Sequence, residues 1–140
     1  MEKTLVIIKP DAVERGLAGE IISRLTNKGL KIVACELRLI DKDLARRHYK
    51  EHEGKTFYDE LVDFITRSPS FVMVLEGPGE TWKIVRNMMG ATDPAEAAPG
   101  TIRGDLALEV TENLIHGSDS QDAAQAEIEL FFPQFTKPAS

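Results

Sequence analysis

Thr4-Leu5-Val6-Ile7-Ile8 constrains the fold more than any other stretch of this chain. Side chains branched at Cβ favour an extended backbone, and four of these five residues are of that type. The run does not alternate apolar with polar, so both of its faces must be covered, and it reads as a central strand. Lys9-Pro10-Asp11 ends it, because Pro10 has no N–H to give to a ladder. A lysine directly at the end of a central strand is unusual. It is either a solvated strand end or a charge held at the rim of a cleft.

The rest of the chain supplies the partners of that strand. Ile21, Ile22 and Leu25 recur at helical spacing between Ala18 and Lys28, with Gly29 as C-cap. Leu30 to Ile40 alternates and is the second strand. Asp41 caps a short polar helix holding Arg46, Arg47, His48 and Tyr49. Phe57 to Arg67 is amphipathic through Leu61, Phe64 and Ile65, and Ser68-Pro69-Ser70 breaks the pattern. Phe71 to Leu75 is a third, fully apolar strand closed by Gly77-Pro78-Gly79. Glu80 to Met89 is a helix with Trp82, Val85 and Met89 facing inward. Ala91 to Gly104 is a long loop with room for one helical turn, which its prolines and alanines mark as ordered. A last strand is expected near 109–115. Ser120 to Phe132 is a final helix with Ala123, Ala126, Ile128 and Phe131, and the tail from Pro133 is a surface segment. This order implies an α+β sandwich of the split β-α-β type, with helices packed on a mainly antiparallel sheet. At 140 residues, one domain spanning 1–140 is expected.

Composition narrows the function. The formal net charge of −6 argues against broad nucleic-acid or acidic-membrane binding, although clustered Arg and Lys can still make a local positive field. No apolar run approaches the ~18 residues that would span a bilayer. Met1-Glu2-Lys3 leads straight into the first strand with no cleavage site of small residues, so no signal peptide is expected. A single cysteine, Cys35, excludes an internal disulfide framework, suits a reducing cytoplasm, and is expected in the core or an interface.

The chemistry concentrates in Asn113-Leu114-Ile115-His116-Gly117-Ser118-Asp119-Ser120. Two apolar residues run into a lone histidine, then a glycine, then helix N-cap and first-turn residues. The expectation is a strand that delivers His116 to a strand-to-helix corner, with Gly117 letting the backbone turn. A histidine is a neutral nucleophile near pH 7. His48 and His52 stand four apart, a spacing that would put them on one helical face, but the residues after them lack the H-E-x-x-H logic of a metal pair. Lys9, Arg86 and Arg103 are the charges at element ends or in the long loop, with Thr92 and Asn113 as polar groups in similar places. Guanidiniums grip phosphate bidentately and lysine acts as a point charge, so converging on His116 they would suit a polyphosphate. The usual phosphate cradles, a P-loop or a kinase glycine-rich loop, are absent.

Over essentially its whole length the chain resembles the nucleoside diphosphate kinase family. The resemblance rests on Asn113-x-x-His116-Gly117-Ser118-Asp119, on residues 4–11, on His52-x-x-Lys55-x-Phe57-Tyr58, and on Gly90-Ala91-Thr92-x-Pro94 through Pro99 to Asp105. It implies a ferredoxin-like fold and a ping-pong transfer of the terminal phosphate of a nucleoside triphosphate to a diphosphate through a phosphohistidine on His116. By the same resemblance Lys9, Arg86, Thr92, Arg103 and Asn113 would contact phosphates or ribose. Phe57 would stack on the base, and a stack accepts any base. Ser118 and Glu127 would orient the imidazole, and Tyr49 and His52 would line the cleft. Mg²⁺ would be held by the phosphates, with no direct protein ligand. The partners implied are ATP and other nucleotides and further copies of the chain, as a dimer-based tetramer or hexamer. Thr111 and Glu112 depart from the Gly-Arg-like pair expected before Asn113. The rival reading is a non-catalytic module of this fold that binds a nucleotide as a signal.

Overall fold

A computed structural model describes residues 1–135. Strand β1 (Glu2–Ile8) is the predicted central strand, and the sheet order is β2-β3-β1-β4, with β2 at Lys31–Arg38, β3 at Ser70–Gly77 and β4 at Ile115–Gly117. All three pairings are antiparallel. The helices are α1 (Pro10–Glu14), α2 (Ala18–Asn27), α3 (Lys42–His48), α4 (Tyr58–Thr66), α5 (Thr81–Met89), α6 (Ile102–Leu106) and α7 (Gln121–Phe131). This is the ferredoxin-like α+β sandwich, with helices on both faces of the sheet.

The unbroken apolar run of β1 is explained by where its alternate side chains go. Val6 and Ile8 face one core, with Ile21 and Leu25 of α2 and Val85 and Met89 of α5. Leu5 and Ile7 face the other, with Leu44, Ile65 and Ile128 from α3, α4 and α7. Residues 5–8 are wholly buried.

Several elements depart from the sequence reading. Pro10 ends the strand but also opens α1, where a missing N–H is no loss and φ is already helical. The long loop, by contrast, ends in the one helical turn expected of it, α6, capped by the Thr101 hydroxyl accepting from Gly104 N. Trp82 is only half-buried; the inward positions of α5 are Thr81, Val85 and Met89. In α7 the buried small residue is Ala124, and Ala126 is exposed. Cys35 is exposed on the edge strand β2, not in the core. The last strand begins where it was expected to end. Leu114 has φ +76°, which no extended run tolerates, so pairing starts at Ile115. Of the expected surface tail, Pro133–Phe135 forms a 3-10 turn against Phe132, and 136–140 lie outside the described residues.

Gly104 is required by close approach. A Cβ there would stand 2.0 Å from the Ala98 carbonyl oxygen, which is backbone and cannot yield cheaply. Gly104→Ala is expected to destabilise by about 1–3 kcal/mol. Gly19→Ala in α2, where a Cβ meets nothing, is expected to be neutral or slightly stabilising. Urea midpoints of the two variants check the contrast.

Candidate active site

His116 sits inside β4, directly opposite Ile7 of β1. Opposed residues share a face, so the imidazole points to the side covered by α3 and α7, while Gly117 points to α5. The expected turn at Gly117 is thus corrected: it is a paired strand residue, and glycine is needed because a Cβ would come within 2.6 Å of Met89 Sδ and 3.1 Å of Val85 Cγ1. The helix N-terminus lies further on, where Ser120 Oγ accepts from Ala123 N.

Residues 113–117 are the hub to which the predicted cations are tied. Lys9 Nζ donates to Asn113 Oδ1 at 3.0 Å, and Asn113 Nδ2 donates to the Thr92 carbonyl at 3.1 Å. Thr92 is therefore engaged through its backbone, leaving its exposed side chain at the loop surface. Arg103, 4 % exposed, donates to the carbonyls of Asn113, Gly90 and Ile115. Arg86 Nη1 donates to the Gly117 carbonyl at 3.0 Å. These cations are uncomfortable neighbours. Burial and the adjacent Arg103 lower Lys9 to about 8, and burial and Arg86 lower Arg103 to about 10. An anion placed among them would relieve both effects.

The ring itself is oriented by one carboxylate. Glu127 Oε1 of α7 lies 3.0 Å from His116 Nε2 and accepts from Ser118 Oγ at 2.6 Å. Burial raises the Glu127 carboxyl, but the hydrogen bonds from His116 and Ser118 outweigh it and hold it below its ordinary value. A carboxylate can only accept, so the proton resides on Nε2. In the neutral ring the lone pair is then on Nδ1, which makes no hydrogen bond among the described residues.

His116 opens onto a cleft of about 960 Å³, also lined by Arg86, Tyr49, His52, Asp119 and Glu127. Tyr49 is buried, and its phenol is raised by that burial and by Glu127. His52 Nδ1 is 3.1 Å from Lys55 Nζ, and its ring centroid is 5.4 Å from that of Phe57. Phe57, 43 % exposed, faces an adjoining depression with Leu61, Phe64 and Thr111, not the His116 cleft itself. His48 and His52 do not share a helix face: His48 ends α3, and His52 ends a following 3-10 turn. The departure at Glu112 is absorbed locally, since Arg67, just past the end of α4, reaches both Glu112 and Glu14 of α1.

Two residues at the site were not singled out from sequence. His48 packs its ring edge-on against His116, centroids 4.8 Å apart, and burial, with His116 next, lowers it to about 3. The signal was its place four before His52, read for a shared face that does not exist. Asp11 is the other. Its Oδ2 accepts from Leu114 N at 3.1 Å, pinning the left-handed residue beside Asn113, a conformation that stores about 1–3 kcal/mol. Lys9 N holds the Leu114 carbonyl at 2.9 Å. Asp11→Ala is expected to lower stability by about 1–3 kcal/mol and to lower kcat, as Leu114 N loses its partner. Asp11→Asn keeps an acceptor and should recover most of both. Equal losses in the two variants would show that charge matters at Asp11, not the hydrogen bond.

The nucleoside diphosphate kinase family model matches residues 2–136. The chain belongs to the nucleoside diphosphate kinase family. A nucleoside diphosphate kinase of Pyrococcus horikoshii is 59 % identical over 134 residues, covering 94 % of this chain and 85 % of the relative. One from a Parafrankia species is 54 % identical over 132 residues, covering 94 % and 96 %. Among solved structures, a halophilic nucleoside diphosphate kinase from Halobacterium salinarum in complex with CDP superposes with a TM-score of 0.90 at 54 % identity, covering 94 % of this chain and 87 % of that one. As a nucleoside diphosphate kinase the chain transfers the terminal phosphate of one nucleotide to another, with a divalent cation. Among the described residues no helix is long and apolar enough to cross a membrane.

Proposed function

We propose that the transfer runs through His116 in two half-reactions. The Nδ1 lone pair attacks the terminal phosphorus of a nucleoside triphosphate, the bond from that phosphorus to the bridging oxygen breaks, and the diphosphate leaves. A second diphosphate then takes the phosphoryl group from Nδ1. The observation that supports this reading is the tie from Nε2 to Glu127, which leaves Nδ1 free and stabilises the charge the ring gains on attack. Lys9, Arg86 and Arg103 surround the same hub and would offset the phosphate charge, so catalysis is positioning plus electrostatics. Asn113 and Thr92 would fix the loop that carries the phosphate site, with Tyr49 and His52 lining the cleft and Ser118 steadying Glu127. Phe57 would offer its exposed ring to any base. The Halobacterium salinarum relative holds CDP, which suits a nucleotide in the corresponding place here.

Mg²⁺ is the cation we infer. Outside Glu127 the cleft lining offers the carboxylates of Glu51 and Asp119, too few for an all-protein cage and suited to an ion carried by phosphate oxygens. When bound, it neutralises phosphate charge. A cytoplasmic enzyme with one domain over the chain fits the single cysteine and the continuous family match. Self-association through β2 is favoured by its place at a sheet edge and by exposed Leu37 and Leu39. It would build the dimer of a tetramer or hexamer, and Leu37→Lys should lower the mass seen in sedimentation.

The deciding experiment is incubation with terminally labelled ATP and Mg²⁺. An acid-labile, alkali-stable phosphoprotein that discharges on adding GDP is expected. Turnover without any such species would overturn the two-step reading.

A further inference from the structure

We propose that His48, His116 and Glu127 form a site for one divalent transition ion of the zinc type, and that this ion blocks the transfer. The three offer two imidazole nitrogens and a carboxylate oxygen, all within 4.8 Å of one another, half-buried on the wall of the cleft. Nothing in the phosphate chemistry uses His48. Neither of its ring nitrogens makes a hydrogen bond among the described residues, and Nδ1 is fully buried without a partner. The ring is held against Tyr49, Phe131 and His116 at 4.6, 5.4 and 4.8 Å between centroids, so a neutral donor with an unspent lone pair is fixed beside the nucleophile.

The donor set selects the ion. Two imidazoles and one carboxylate with an open position toward solvent match a three-ligand zinc site, whereas Mg²⁺ prefers an all-oxygen shell. A tetrahedral ion spaces its ligands by about 3.4 Å. His116 Nε2 and Glu127 Oε1 are 3.0 Å apart and need open by only about 0.4 Å, while the His48 ring moves inward by at most about 1.4 Å.

Blocking follows from the valence of imidazole. The neutral ring has one lone pair. An ion on Nδ1 occupies the attacking atom itself. An ion on Nε2 displaces the proton from Nε2, and the neutral ring then carries it on Nδ1. Either way no lone pair is left for phosphorus, and Glu127 is diverted from orienting the ring. This inhibitory half rests on His116 being the phosphoryl acceptor; the binding half stands on geometry alone.

Titration of the nucleotide-free full chain with Zn²⁺ by calorimetry, and with Co²⁺ by visible absorption, tests it. One ion per chain and tetrahedral Co²⁺ bands are expected. His48→Phe keeps a ring against Phe131 but has no donor, and should weaken binding by about 10–100-fold or more. The chain has three histidines, and in the wild type Zn²⁺ should shift the imidazole proton resonances of two of them, His52 staying unmoved. That measurement needs no variant to fold at position 48. Zn²⁺ should also prevent labelling by ATP in the wild type. Absence of a bound ion, equal affinity in His48→Phe, or a shift confined to His52 would overturn the site. A bound ion that leaves labelling intact would overturn the inhibition. Failure of the metal-free wild type to label would instead sink the phosphohistidine reading, and inhibition with it.

Discussion

His116→Ala is expected to lower kcat by about four orders of magnitude or more, a barrier increase of more than about 5 kcal/mol. No other described side chain places an unshared nucleophilic lone pair against the arginines. His48 packs against the His116 ring and has no hydrogen bond to an arginine among the described residues, and His52 contacts Lys55. Folding should survive. The ring contributes one hydrogen bond to Glu127, which retains Ser118, so the loss in stability should stay near 1 kcal/mol. Nucleotide affinity should change little, because the cations are held by Asn113 and by backbone carbonyls, not by the imidazole. Stopped-flow turnover, nucleotide titration and a thermal melt of the variant decide the matter together. Turnover within tenfold of wild type would remove His116 from the nucleophile's role.

Arg103→Ala should be costly in two measurements at once. Removing one pre-organised cation from a transferring phosphoryl group is expected to lower kcat by about two orders of magnitude or more. The structure adds a second consequence. Three carbonyls, of Gly90, Asn113 and Ile115, lose their buried donor, and two of them belong to the hub segment. Leaving them unsatisfied should destabilise by about 3 kcal/mol or more, a drop in Tm of about 10 °C for a chain of this size. Arg103→Lys restores a charge but not the planar fork, and should recover little of the Tm. Arg86→Ala is the useful comparison, since its one backbone bond predicts a kinetic loss with a smaller shift in Tm. An effect of Arg103→Ala on KM alone would mean that Arg103 binds substrate and transition state equally.

Arg103 also shows what could be read without coordinates. That it is a charge in an odd place was visible, as was its resemblance to a phosphate-binding position. That most of its fork is spent on backbone carbonyls was not, because a carbonyl carries no signature in the sequence. His48 and Asp11 escaped for the same reason. Their roles depend on meeting residues 68 and 103 positions away, and neither periodicity nor local spacing reports such a meeting. The last strand was misplaced because a left-handed leucine looks in the sequence like any other apolar residue.

By itself the sequence determined the central strand, the helices of strong 3.6-residue periodicity, and the family signature around His116, because these depend on residue type and on neighbours close along the chain. The tertiary structure decided which nitrogen of His116 is free, which cations share one hub, and which glycines are there for packing. Those properties arise from distances between segments far apart in the chain, set by how α5 and α7 close on opposite faces of one sheet.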